Sequence, residues 1–481
     1  MGKGKVGIRQ VGTGEEGSVI ESELQETAQS PTGGRELFDP LQSARKLLPR
    51  AMKGGLAVVD QALVTGSNFA LSILLARWLS PLQYGAYAVG FSVFVLVGML
   101  YQALLLEGMS VFGASAFRSC LRKYLRSMLS LHVAVASVIF LVLGASAGVA
   151  FKIAPSSGLP GALAGIALAT PLIMLFWLAK RAFYLQLTPG PSTVSAFFYC
   201  AMIVGGLVLI DRRGLISPFS AFTLMGLSAF GTSIFLFTHL KFRLPADTTA
   251  PTLSDTWRRH WRYGRWAVLA EFSKWVPAYI FYPLLSSFRG IAQAGELRAL
   301  MNFNAAIFQT YAALSSLLLP YAARVFASQG RPGTRALAKR IALGFVSAGF
   351  LYWGVVLTFK GPIFHLLYSG RYMELAGLLP VVALSSILWS ASLGPTDALR
   401  AMESSGSVLA AVCVSSSIAI AVGIPLTWFL GLRGAIWSMA LSEGLALGMT
   451  VILLRRKLGS ASSPGLILAL IPRSAADLSQ E

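Results

Sequence analysis

Long apolar runs recur along most of the chain, and short polar or basic segments separate them. Each run extends for about 20 residues and is apolar on all sides rather than on alternate positions. Only helices or closed barrels span lipid, because the backbone polar groups must be satisfied within the protein. Barrel strands need only about ten residues and alternate in polarity. The pattern therefore predicts an all-α integral membrane protein.

Twelve runs have the length that a transmembrane helix requires. The seventh is the least regular, because it carries Glu271, Lys274, Pro277 and Pro283. A bilayer core about 30 Å thick accommodates roughly 20 residues per helix. The predicted spans are 56–75, 86–106, 128–151, 162–183, 194–210, 219–238, 266–286, 300–319, 341–357, 376–393, 408–430 and 434–454.

Composition agrees with a protein that is mostly covered by lipid. Hydrophobic residues make up 55% of the chain, charged residues 12%, and the mean hydropathy is +0.66. About three quarters of the 40 Lys and Arg residues fall on one side when the loops alternate across the membrane. Basic loops stay in the cytoplasm. We therefore expect a multi-pass protein of the bacterial inner membrane with both termini cytoplasmic.

The same bias accounts for the net charge of +20 without a nucleic-acid partner. No basic stripe is interleaved with aromatic residues in the way that nucleic-acid surfaces require. The partners that this composition leaves are membrane lipid and whatever the helices carry or assemble with.

The loops divide the chain into five predicted regions. The first 55 residues are polar and predict a disordered cytoplasmic tail, since they lack the apolar residues of a core. Residues 56–239 form a first lobe of six helices, 240–264 a basic cytoplasmic linker, 265–457 a second six-helix lobe, and 458–481 a second cytoplasmic tail.

The two lobes resemble each other in sequence. A shift of 210 positions aligns a Gln-x-Gly turn before the second helix of each lobe, and a tyrosine late in that helix. The aligned pairs are Gln83 with Gln293, Gly85 with Gly295, and Tyr101 with Tyr311. Repeats of six spans share one orientation and pack about an axis along the membrane normal, with a cleft between them. The expected architecture is a V-shaped, alternating-access transporter.

Apart from Lys180 and Arg181, which lie at the end of the fourth span and count with an inner loop, four charged residues fall within predicted spans: Asp60, Glu271, Lys274 and Glu443. A charge at mid-membrane costs about 2.5–3.5 kcal/mol on insertion scales, so each one is a functional candidate. Asp60, Glu271 and Glu443 are candidates for ion coupling, and Lys274 for contact with a negatively charged headgroup. The alternatives are a Lys274–Glu271 pair that only neutralises itself, an Asp60 that reaches the inner interface, and a Glu443 that bonds a neighbouring serine or backbone group.

Polar residues at the outer ends of the paired helices form a second candidate set for the headgroup. The headgroup candidates are Arg77, Arg298 and Gln309, and the same set of polar residues includes Gln83, Gln102, Gln293, Asn302 and Asn304. Ordinary loop solvation explains Arg77 equally well.

Catalysis finds no support in the sequence. There is no P-loop and no nucleophile elbow, and the four histidines are scattered without the spacing of a metal site. We therefore expect a protein that is not an enzyme and holds no cofactor.

Three segments resemble a known family: LLARWLSPLQYGAYAVGFSVFVL (74–96), ALRAMESSGSVLAA (398–411) and GLRGAIWSMALSEGLALGM (431–449). They look like the polysaccharide-exporter (Wzx-type) oligosaccharide flippases, whose superfamily also holds the multidrug and toxin extruders and the lipid II flippases. The resemblance covers roughly residues 56–457. It implies that an undecaprenyl-diphosphate-linked oligosaccharide crosses from the cytoplasmic to the outer leaflet for cell-surface polysaccharide synthesis. It also implies H⁺ or Na⁺ as the coupling ion and a polysaccharide polymerase or export machinery as partner.

Two other functions fit the same arrangement. A multidrug or cation extruder would use this scaffold for cationic substrates and would favour acids in the cleft over Lys274. A non-transporting membrane subunit of a polysaccharide assembly complex would lose nothing when the charges within the membrane are removed.

Overall fold

A computed structural model describes residues 40–241 and 252–459, and the regular structure of these residues is helical. Six helices build the first lobe. They are α1 (Pro40–Trp78), α2 (Pro81–Ala114), α3 (Leu121–Ile153), α4 (Leu159–Leu185), α5 (Gly190–Arg212) and α6 (Pro218–Lys241).

Six further helices build the second lobe. Helix α7 covers Leu253–Tyr279 and continues, after a bend at Ile280, as Phe281–Arg289. The helical stretch Ile291–Thr358 is interrupted at Gly330, whose φ of 61° lies in the left-handed region, so we treat it as α8 (291–329) and α9 (331–358). The remaining helices are α10 (Leu379–Ala401), α11 (Ser405–Leu430) and α12 (Leu432–Gly459).

Eleven of the predicted spans fall within these helices, and the tenth begins in the 3-10 turn Met373–Leu378 just before α10, which confirms an all-α, multi-pass membrane protein. Ten helical stretches of the described residues are long and apolar enough to cross a membrane, and the longest of them contains both α8 and α9. Helix α7 is not among the ten; its first half carries several arginines.

The predicted tails and linker lie largely outside the described residues. Residues 1–39 and 460–481 of the tails and 242–251 of the linker are not described. Helix α1 already begins at Pro40, and α7 begins at Leu253 inside the segment predicted as a linker.

Each lobe packs its helices in the same way. In the first lobe α4 contacts α2, α3 and α6, and in the second lobe α10 contacts the α8–α9 stretch and α12. The two aligned tyrosines, Tyr101 and Tyr311, also make equivalent contacts between helices. Tyr101 Oη lies 2.9 Å from His132 Nδ1 and joins α2 to α3, while Tyr311 Oη donates to the Phe345 carbonyl oxygen over 2.7 Å and joins α8 to α9. The sequence repeat therefore corresponds to a structural repeat.

The lobes meet where the N-terminal ends of α2 and α8 cross, at the aligned glycines. A Cβ atom on Gly295 would lie 2.8 Å from the backbone nitrogen of Gly85, and one on Gly85 would overlap the Ile291 carbonyl group. Only glycine permits this approach of two backbones. We call this the closed end of the protein.

Away from the closed end, α8 leaves α2 and contacts helices of its own lobe. Ser315, near the far end of α8, donates a hydrogen bond to Asp397 of α10. The contacts between lobes then involve α7 with α2 and α3. Beyond the closed end the lobes are therefore joined through α7, and we call the region there between α8 and the first lobe the cleft.

The crossing gives a first testable prediction. Gly85→Ala should lower the midpoint of thermal unfolding in detergent, since the new methyl group must push α8 away and overpacking costs about 1–3 kcal/mol. Gly205→Ala in α5 is the matched control, because a Cβ there meets nothing within 4 Å and alanine favours the helix. Equal midpoints for the two variants would contradict the crossing.

Candidate functional site

Arg298 lies between the lobes, about 10 Å along α8 from the start of that helix at Ile291. Its Nε donates a hydrogen bond to Ser72 Oγ of α1 over 3.2 Å, and its guanidinium lies 4.0 Å from the ring centre of Phe91 of α2. Arg298 is only partly buried, so part of the residue remains accessible. A residue of the second lobe is thus held by two helices of the first.

Asn302, one turn further along α8, organises the surroundings of Arg298. Its Oδ1 accepts a hydrogen bond from Ser72 over 2.9 Å, and its Nδ2 donates to Tyr84 Oη at 3.1 Å and to Tyr368 Oη at 3.2 Å. The three partners come from α1, from α2 and from the short helix Lys360–Tyr368 that precedes α10. We call Ser72, Tyr84, Arg298, Asn302 and Tyr368 the Arg298 hub.

The hub contains a positive charge but no negative one. Arg298 forms no ion pair with any carboxylate in residues 40–241 and 252–459. The groups that interact electrostatically with it are the hydroxyls of Tyr84, Tyr87, Tyr279 and Tyr282. An arginine presents a planar set of donors that matches the oxygens of a phosphate or carboxylate. The hub therefore offers an uncompensated cation with hydrogen-bonding groups around it.

Asp60, deeper in the first lobe, is fully paired. Its carboxylate is buried, accepts a hydrogen bond from Lys180 Nζ of α4 over 2.7 Å, and accepts another from Tyr184 Oη over 2.5 Å. Sequence analysis did not connect Asp60 with α4. The predicted fourth span reached residue 183, but Lys180 counted there as part of the inner loop.

Lys274 and Glu271 form an ion pair one turn apart on α7. The pair does not stand alone, because Glu107 at the far end of α2 interacts electrostatically with both residues and with Arg181 of α4. Lys274 and Glu271 therefore face the charges of the first lobe across the cleft. With Asp60 and Lys180 they make a set of three acids and three bases, which we call the cleft network.

The cleft network is balanced in charge, and this sets it apart from the hub. Lys274 lies about 22 Å along the helix from the end of α7 at Arg289, whereas Arg298 lies about 10 Å along α8 from its start at Ile291. The two groups of residues are therefore separate along the membrane normal. Lys274, predicted as a headgroup contact, lies in the balanced group.

The other two candidates for the headgroup lie apart from the hub contacts. Gln309 follows Arg298 by eleven residues and so lies on the same face of α8, where it is exposed. Arg77 is exposed at the end of α1 and forms no ion pair within the described part of the chain. Gln309 can extend the polar face of α8 into the cleft, while Arg77 stays at the closed end.

Two further acids of the second lobe, Glu443 and Asp397, lie in different surroundings. Glu443, in the middle of α12, has neither a hydrogen bond nor an ion pair among the residues that the structure describes. Asp397 of α10 is fully buried, accepts a hydrogen bond from Ser315 Oγ over 2.7 Å, and lies 3.8 Å from an Arg400 nitrogen.

Sequence analysis missed Asp397 because the tenth predicted span ended at Leu393. The helix in fact continues to Ala401, which places Asp397 inside the bundle. The run GPTDALRA after Leu393 contains Ala398, Leu399 and Ala401, apolar residues that could have extended the predicted span.

No family model matches the sequence. No curated protein matches it either. Solved structures, by contrast, match over most of the chain. An inward-facing multidrug resistance MATE family transporter of the MOP superfamily has a TM-score of 0.70 at 12% identity, over 83% of this chain and 94% of its own. An outward-facing transporter of that description has a TM-score of 0.60 at 13% identity, over 84% and 94%.

A third structure is described as the lipid II flippase MurJ in an inward closed conformation. Its TM-score is 0.64 at 11% identity, over 84% of this chain and 87% of its own. The protein therefore has the fold of the MATE and MurJ transporters. Identities this low establish the fold and leave the substrate to be argued from the residues.

The pairing of Asp60 gives a second testable prediction. Lys180→Met should lower stability by about 3 kcal/mol, because it leaves a buried carboxylate without its cation. The double change Asp60→Asn with Lys180→Met should recover most of this loss. Unfolding by sodium dodecyl sulfate measures both, with Lys152→Met, at an exposed lysine, as the control. A double variant as unstable as the single one would contradict the pairing.

Proposed function

We propose that this protein carries a polyprenyl-diphosphate-linked oligosaccharide from the cytoplasmic to the outer leaflet of the bacterial inner membrane, for cell-surface polysaccharide synthesis. Both termini would be cytoplasmic. The closed end then faces outward and the cleft opens toward the cytoplasm, where the substrate is made. The fold supports the proposal, since it is shared with a lipid II flippase.

The observation that carries this proposal is the uncompensated charge of Arg298. A diphosphate and its sugars cannot enter hydrocarbon, so a carrier must replace their hydration with cations and hydrogen-bond donors. The hub supplies a cation of this kind at the top of the cleft, while the charges of the cleft network already neutralise one another. Gln309, on the same face of α8, would contact the sugars or the diphosphate as they enter.

The polyprenyl chain has the opposite requirement, because it is stable only in lipid. A cleft between two lobes can open sideways to the bilayer, so the headgroup moves through the protein while the chain stays outside. Movement of the lobes about the Gly85–Gly295 crossing would then expose the hub to the outer side.

Glu443 is the strongest candidate for binding H⁺ or Na⁺. Asp60 and Glu271 already have basic partners, so binding a cation there must first break an ion pair. Glu443 has no such partner in the described residues. An unpaired carboxyl in the middle of a membrane helix readily takes up a cation or a proton, because both remove the cost of its charge.

The same feature supports a second candidate function. A multidrug extruder would use Glu443 to hold a cationic substrate, and two of the matched structures are described as multidrug resistance transporters. The two functions place the substrate in different parts of the molecule, the hub for an anion and the second lobe for a cation. A membrane subunit that transports nothing would need neither Arg298 nor Glu443.

Replacement of Arg298 gives a third testable prediction. In a strain that depends on this gene, Arg298→Gln should reduce surface polysaccharide to about a tenth or less and cause lipid-linked oligosaccharide to accumulate, since a hydrogen bond to a charged group contributes about 1.5–3 kcal/mol. Arg298→Lys should retain part of the activity, because the charge remains. The control is Arg213→Gln, which changes an exposed arginine at the closed end of the protein.

Drug sensitivity in the same strains distinguishes the alternatives. Sensitivity to cationic compounds should be the same in the deletion strain and its parent. If instead the deletion strain becomes sensitive while its polysaccharide stays normal, and Glu443→Gln reproduces that sensitivity, the protein is an extruder. Normal polysaccharide in cells with Arg298→Gln, at equal protein level, would remove Arg298 from the site.

A further inference from the structure

A cavity that the cleft does not include lies at the end of the molecule opposite the closed end. It has a volume of about 770 Å³ and lies between the α2–α3 connection and the first turns of α7. Its lining includes Arg258, Arg259 and Arg262 from α7, and Phe112 and Phe117 from the first lobe. We call it the interfacial pocket. Both lobes contribute to it, since α7 belongs to the second.

The buried side chain of His260 holds the two walls of the pocket together. Its Nδ1 lies 3.2 Å from the Leu104 carbonyl oxygen and its Nε2 lies 2.9 Å from Tyr124 Oη. Leu104 belongs to the π-helical turn Gln102–Leu106 of α2, and Gly108 leaves room for the imidazole ring, because a Cβ there would lie 2.8 Å from Nδ1. Specific contacts therefore hold the walls of the pocket in place.

The pocket carries an excess of positive charge. None of its three arginines forms an ion pair with a residue in 40–241 or 252–459, and its one acid, Asp255, accepts a hydrogen bond from Thr252 Oγ1 at the start of α7. Arg259 lies 5.5 Å from the ring centre of Phe117, which orients its guanidinium over the pocket wall. Such a lining is suited to an anion.

Tryptophans beside the pocket place it at the level of the lipid headgroups. Trp257 and Trp261 stack with ring centres 5.7 Å apart and are exposed, and Trp266 is 67% exposed one turn further on. Exposed tryptophans on a membrane helix mark the boundary between hydrocarbon and headgroups. The arginines lie on the adjoining face of the same helix turns, so they meet phosphates rather than acyl chains.

We propose that the interfacial pocket binds the phosphate of an anionic phospholipid from the leaflet at this end of the protein. Basic pockets between transmembrane helices at the cytoplasmic side are suited to anionic lipid headgroups. The lipid phosphate would contact the arginines while its acyl chains lie along the tryptophans. Because the pocket has walls from both lobes, the bound lipid stabilises their contact through α7. The proposal does not depend on what the cleft transports.

Purified full-length protein in neutral detergent tests this proposal. Phosphatidylglycerol should raise the midpoint of thermal unfolding, phosphatidylcholine should not, and 0.5 M NaCl should reduce the effect by screening. Each arginine should contribute about a five-fold change in apparent affinity, so the triple variant Arg258→Gln, Arg259→Gln and Arg262→Gln should bind phosphatidylglycerol about 100-fold more weakly. Native mass spectrometry of lipid adducts provides an independent readout.

The control is a second triple variant that loses the same number of positive charges outside the pocket. Arg335→Gln, Arg340→Gln and Arg456→Gln remove three exposed arginines outside the pocket and should leave the response to phosphatidylglycerol unchanged. Equal weakening in both triple variants would mean a general effect of surface charge and would overturn the proposal. Equal stabilisation by inorganic phosphate would identify a site for a soluble anion and would also overturn it.

Discussion

A charge within the hydrocarbon region of a membrane must be paired or must face a polar cleft, and this constraint orders the interior of the protein. The first lobe satisfies it by pairing, as Asp60 with Lys180 shows. The pair of Glu271 and Lys274 extends the same solution to α7. Glu443 is one exception and Arg298 is another, since Arg298 has hydrogen-bonding neighbours but no acid among the described residues. Its position between the lobes makes it the point where a negative ligand would be most stabilised.

The closed end explains how the arginine is held there. The Gly85–Gly295 crossing brings α2 and α8 together, and Ser72 and Tyr84 of the first lobe then reach Arg298 and Asn302 of the second. Contacts of this kind are lost when the lobes separate at this end. A headgroup bound at the hub would thus take the place of bonds that join the lobes, which links substrate binding to the change in access.

Sequence patterns were sufficient to predict a membrane protein, its twelve helices and the repeat. Each of these features depends on the length and polarity of single segments of the chain. The alignment of Gly85 with Gly295 indicated a repeat, but it did not indicate that the two glycines touch. The pairing of charges could not be read from one helix at a time. Lys180 and Asp397 lay at predicted span boundaries, where an error of a few residues moves a side chain from a loop into the bundle. Sequence analysis placed Lys274 either at a headgroup or in a pair with Glu271, and its neighbours on α2 and α4 show it to be part of a balanced set.

The central claim is that the hub binds an anionic headgroup, and equilibrium binding tests it most directly. Purified protein should bind geranylgeranyl diphosphate saturably, and Arg298→Gln should weaken that binding at least about ten-fold while Arg213→Gln leaves it unchanged. Tetraphenylphosphonium, a lipophilic cation, should not compete. The same affinity in the wild type and in Arg298→Gln, or displacement of the diphosphate by the cation, would contradict the account.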